Sequence, residues 1–108
     1  MHLLCLVIQA EASLAAATHR VLELYGLRLY LVETLDAAAS ALRQWRFDAV
    51  LLDAEGFGRE AGDRVGSVLM LMRETQVPIV VRSGRCDEAT QFRRLEQGAT
   101  AMVPVVQP

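Results

Sequence analysis

At 108 residues, with 53% of them apolar, the chain has the size of one domain and enough apolar material for a core, which argues against disorder. Its formal net charge is −2, and arginines such as Arg20, Arg43, Arg64, Arg82 and Arg94 are spread along the chain, so no nucleic-acid-binding patch is expected. Two cysteines, Cys5 and Cys86, are too few for a disulfide framework, and the absence of lysine removes any chemistry that needs an amine side chain.

Leu3 to Ile8 is an unbroken apolar run, as expected of a strand buried on both faces, with Cys5 as a buried free thiol. The run is too short to span a membrane and lacks the flanks of a signal peptide, so a cytoplasmic protein is expected. From Glu11 to Tyr25 the spacing predicts a helix with Leu14, Ala17, Val21 and Leu24 on one face, ended by Gly26. His19 falls off that face and is expected at the surface. Leu27 to Val32 returns to strand character. Thr34 then caps a second helix whose face is Leu35, Ala38, Leu42 and Trp45, the tryptophan read as packing in preference to a ligand platform.

Asp48 to Asp53 reads as the third strand, followed by a polar loop with Glu55, Gly56, Gly58 and Gly62. The third helix carries Val65, Val68, Leu69 and Met72. Val77-Pro78 introduces a fourth strand, Ile79 to Val81, where proline at the first position does little harm. Arg85 to Gln97 is a fourth helix with Asp87 near its start and Gly98 at its end, and Ala101 to Val103 is a short fifth strand. Strands alternating with helices predict a doubly wound five-stranded parallel sheet, flavodoxin-like, in the order 2-1-3-4-5, formed by residues 1–108 as one domain.

Ligands of such sheets gather beyond the carboxyl ends of the strands. The residues there are Gln9-Ala10-Glu11, Asp53-Ala54-Glu55, Ser83-Gly84 and Pro104-Val105. Three segments, Phe47 to Asp53, Val77 to Gly84 and Gly98 to Val103, in this order and at this separation, resemble the CheY-like receiver domain of two-component response regulators.

That resemblance implies phosphoryl transfer from a histidine kinase to an aspartate, here Asp53. It also implies an acidic pair after the first strand that helps hold Mg²⁺, a hydroxyl after the fourth, and a lysine after the fifth. The acidic pair falls on Gln9 and Ala10, with Glu11 adjacent. The lysine position falls on Val105, and the proline after it on Val106. Ser83 keeps the hydroxyl, and Met102 stands where the family has an aromatic switch residue. Mg²⁺ binds through few, hard oxygen ligands, so a methyl group in place of a carboxylate weakens the site severely.

The resemblance therefore implies a degenerate receiver, or pseudo-receiver: not an enzyme, with no resident metal, acting through protein contacts. Asp53 is either a phosphoacceptor or a retained acid capping a loop. Arg82 or Arg85 either compensates an acidic cluster at Asp53 or is a solvated strand-end arginine. Cys86, in the loop before the fourth helix, is either a redox-reactive thiol or, as the preferred reading, an inert one. Receivers usually end in a fifth helix, whereas this sequence stops at Gln107-Pro108, so that helix is expected to be missing or truncated. The apolar sheet face it would leave is expected to be covered by a second copy, a following segment or an output domain. The alternatives are a working receiver using Asp53 with Mg²⁺, and an unrelated flavodoxin-like domain binding a small ligand. The latter is disfavoured because Gln9-Ala10-Glu11-Ala12 lacks a glycine-rich phosphate loop.

Overall fold

A computed structural model describes residues 3–9, 16–54, 62–73, 75–84 and 87–104. In chain order these form β1 (Leu3–Ile8), α1 (Ala16–Leu24), β2 (Leu27–Val32), α2 (Leu35–Gln44), β3 (Ala49–Asp53), α3 (Gly62–Arg73), β4 (Ile79–Ser83), α4 (Glu88–Gln97) and β5 (Ala101–Pro104). The strands pair in parallel in the order β2-β1-β3-β4-β5, which is the flavodoxin-like arrangement expected from the alternation of elements.

Right-handed crossovers turn this order into layers. The chain moves from β1 to β2 in one direction and from β2 through β5 in the other, so α1 lies on one face and α2, α3 and α4 on the opposite face. The second face holds the core. Leu6, Ile8, Val50, Leu52, Ile79 and Val81 alternate toward Leu35, Ala38 and Ala41 of α2 and Val65, Val68, Leu69 and Met72 of α3, all of them buried. On the first face the partners of these strand residues fare differently. Cys5 and Val7 of β1 are buried, but Leu51, Val80 and Ala101 are only half-buried, and Val103 is 39% exposed.

Local chemistry sets the element ends. Thr34 accepts the Ala37 N–H at 3.0 Å and starts α2, and Asp87 accepts the Thr90 N–H at 2.8 Å and starts α4. Gly26 turns the chain after α1 at φ 87° and Gly98 closes α4 at φ 121°, conformations that side chains disfavour. Asp48 precedes β3 and ties it to β1 twice. Its carboxylate accepts the Leu4 N–H, and its own N–H donates to the Leu4 carbonyl, each at 2.8 Å.

Four sequence expectations are corrected. Leu24 is 80% exposed, because it ends α1 where Tyr25 and Gly26 turn the chain. Trp45 does not pack on the α2 face. The helix ends at Gln44, Trp45 is extended (φ −131°, ψ 152°), and the chain straightens there to feed β3, so that Phe47 enters the core instead. Gly62 belongs to α3 rather than to the preceding loop. His19 is half-buried, with an Nε2 that is buried and has no hydrogen-bond partner among the described residues. No helix among the described residues is long and apolar enough to cross a membrane.

Candidate functional site

The strand order reverses between β1 and β3, and the crevice of a doubly wound sheet opens at that point, beyond the strand ends. Three of the residues singled out above meet there. Ile8 pairs with Leu52 and Asp53 pairs with Arg82, so the next step past Ile8 aligns Gln9, Asp53 and Arg82 in one row across β1, β3 and β4. Strand alternation points all three away from the core-bearing face.

Asp53 is 6% exposed, and a charge so withdrawn from water needs a partner. Arg82 is one: its Nη1 donates to Asp53 Oδ2 at 2.9 Å. The same residue steadies the backbone, since the Arg82 carbonyl accepts the Ala54 N–H at 2.9 Å. Arg82 thus holds the end of β3 by side chain and main chain together. Its own side chain remains 28% accessible, so the guanidinium sits between the buried carboxylate and solvent.

Gln9 extends the β1–β2 ladder, donating its N–H to the Val32 carbonyl at 3.0 Å. Its side chain is the anomaly of the site. Gln9 is 3% exposed, yet its Oε1 has no hydrogen-bond partner among the described residues. A buried amide oxygen left unsatisfied costs about 1–3 kcal/mol.

Ser83 ends β4 and is half-buried, and Met102 of β5 packs against the core cluster beside Val81. Ala10, Glu11, Glu55, Arg85, Cys86, Val105 and Val106 lie outside the described residues. Among the described residues no group of three or more His, Cys, Asp or Glu side chains could hold a metal ion. The described oxygen donors in the row are one carboxylate engaged by a guanidinium and one neutral amide, a poor match for Mg²⁺.

One feature of the row escapes sequence reading: the burial of the Gln9 side chain has no sequence signal beyond its place after an all-apolar strand. The contact of Arg82 with Asp53 is one of the two alternatives that the sequence leaves open for this arginine, and strand register decides between them.

No family model matches the sequence, and comparison with curated proteins finds no match. Solved structures do match. A two-component response regulator from Clostridium difficile is 14% identical over 99% of this chain and 86% of its own, with a TM-score of 0.79. The receiver domain of NtrC4 from Aquifex aeolicus is 19% identical over 95% and 83%, with a TM-score of 0.75. The receiver domain of a sensor histidine kinase from Pseudomonas aeruginosa, solved with a magnesium ion coordinated in its active-site cleft, is 18% identical over 96% and 85%, with a TM-score of 0.74. Sequence identity at this level speaks to architecture alone. The chain has the fold of the response-regulator receiver domains.

Proposed function

We propose that this chain is a two-component signalling module of the pseudo-receiver kind, which works by protein contact and not by phosphorylation or turnover. The observation that carries the reading is the Arg82–Asp53 ion pair. The carboxylate that would accept a phosphoryl group already has a cation against it, and that cation is attached to the neighbouring strand. In a conventional receiver the incoming phosphoryl charge is balanced by a metal and a lysine. Here the sequence has no lysine, and the bound guanidinium neutralises the unmodified aspartate.

The strip formed by half-buried Leu51, Val80 and Ala101 and exposed Val103 on β3–β5 is the surface we assign to contact, with a second copy of the chain as the first partner to test. Sedimentation at tens of micromolar checks this: a strictly monomeric species that binds no dye for exposed apolar surface would count against it.

A second reading, a working receiver phosphorylated on Asp53 in the presence of Mg²⁺, is favoured by one observation, the unpartnered buried oxygen of Gln9. Incubation with beryllofluoride or acetyl phosphate plus Mg²⁺, followed by intact-mass and fluorine measurements, separates the two. The first reading expects no adduct at Asp53. An adduct that forms on the native chain and is absent from Asp53→Asn establishes the second.

A further inference from the structure

At the pole of the sheet opposite Asp53, where the strands begin, the connection from α2 to β3 and the turn from α3 to β4 enclose a recess of about 590 Å³. Leu42, Phe47 and Val77 give it apolar walls. Arg43, Trp45 and Arg46 stand at its rim. We propose that this recess binds an acidic peptide segment of a partner protein, one that sets an aromatic or aliphatic side chain beside Trp45 and carboxylates beside Arg43 and Arg46.

Charge comes first. In a chain of net charge −2, the described lining holds two arginines and no acidic residue. Neither Arg43 nor Arg46 has an ion-pair partner among the described residues, unlike Arg64, which meets Asp36, and Arg82, which meets Asp53. The nearby carboxylate of Asp48 is engaged by the Leu4 N–H. Two exposed guanidiniums flanking an indole that is 55% exposed combine the residue types that most often anchor protein contacts.

The rim is also held in place before anything binds. The Trp45 N–H donates to the Ala41 carbonyl at 2.9 Å, and two residues later Phe47 is buried edge-on against Tyr30, with ring centroids 5.8 Å apart. Asp48 then anchors the chain to β1. Trp45 and Arg46 therefore sit on a short strut fixed at both ends. Across the recess, Thr75 returns its N–H and its hydroxyl to the Met72 carbonyl, which fixes the other wall. Little backbone ordering is left for binding to impose, and the cost falls on the rotamers of the exposed Arg43 and Arg46 side chains.

The helix end selects the kind of anion. The recess lies at the carboxyl terminus of α2, where the helix carries partial negative charge and its last carbonyls lack intrahelical partners. Exposed carbonyls disfavour any bare anion, carboxylate and phosphate alike, and call for N–H donors that a phosphate dianion lacks. A peptide brings N–H donors for the carbonyls together with carboxylates for the arginines, so an acidic peptide fits both features.

Trp45 is the chain's single tryptophan, so its emission reports on this recess alone. The test is selection of a random heptapeptide display library on the folded full chain, followed by titration of the selected peptides as synthetic, capped molecules. We expect enrichment of Asp and Glu around one large apolar residue, and a saturable blue shift of Trp45 emission. The same peptides should bind about tenfold or more weakly to Arg43→Ser/Arg46→Ser, whose exposed positions leave the melting curve unchanged. Absence of enrichment, a consensus without acidic residues, undiminished binding to the double variant, or an equal shift with inorganic phosphate or ATP would each overturn the proposal.

Discussion

Arg82 reaches Asp53 from the directly registered position on the neighbouring strand, and the 2.9 Å contact joins a carboxylate that is nearly closed to water with a guanidinium that is partly open to it. Removing the cation takes the guanidinium away from a buried carboxylate. Arg82→Ala is expected to destabilise the fold by about 1–3 kcal/mol, below the range for fully enclosed pairs because Arg82 is partly solvated. The Asp53→Asn/Arg82→Met double variant should lie closer to the native chain than Arg82→Ala does. Chemical denaturation of the native chain, Asp53→Asn, Arg82→Met and the double variant closes a double-mutant cycle and measures the coupling. A coupling indistinguishable from zero would show that the pair is incidental.

Gly98 and Gly26 both have positive φ, but only one is crowded. A Cβ at Gly98 would stand 3.2 Å from the Leu69 carbonyl oxygen and 3.3 Å from Arg73 Cβ, while one at Gly26 would meet nothing within 4 Å. Gly26→Ala therefore carries only the backbone cost of about 1 kcal/mol, and Gly98→Ala about 2–3 kcal/mol. Thermal melts of the two variants side by side test the ordering, which a larger loss at Gly26 would reverse.

Burial raises the Cys5 thiol above its ordinary value of 9.0, and a backbone hydrogen bond at Leu51 offsets only part of this. The folded chain then keeps a proton that the unfolded chain gives up. Stability from this group is whole below 9.0 and declines as pH climbs from 9.0 toward the raised folded value. Cys5→Ala should flatten that decline. Urea midpoints of both proteins at about pH 8 and about pH 10 give the comparison, and equal slopes would rule out the thiol as its source.

Leu69 and Leu24 test the two sides of the helical pattern. Leu69 is fully buried between α3 and the sheet, and Leu69→Ala should cost about 2–5 kcal/mol. Leu24 lies in solvent, and Leu24→Ala should stay within about 0.5 kcal/mol of the native chain. The same urea titrations read both.

These contrasts mark how far the residues themselves disclose the molecule. Val65, Val68, Leu69 and Met72 repeat at helical spacing and are all buried, and the apolar runs of β1, β3 and β4 are central strands. Periodicity reports burial well where an element is covered along its whole length. It misleads at Leu24 and Trp45, because a helix pattern does not announce the residue at which the backbone leaves the helix. Capping was more legible: Thr34 and Asp87 start their helices by a local hydrogen bond that needs no distant partner. In the candidate site, Asp53 and Arg82 could be named from their places after apolar runs, but their meeting is decided by register between segments 29 residues apart. The stranded Gln9 oxygen belongs to packing around a side chain, which no linear pattern encodes.

The row of Gln9, Asp53 and Arg82 also bears on how the sheet tolerates insertions. Because side chains alternate, adding one residue within β4 would rotate Arg82 onto the face that packs against α3, driving a guanidinium into the oily interior and leaving Asp53 opposite a hydrocarbon. The charged pair thereby penalises misaligned assembly of the β3 and β4 edges, so the same two residues that shape the crevice also proofread how the strands come together.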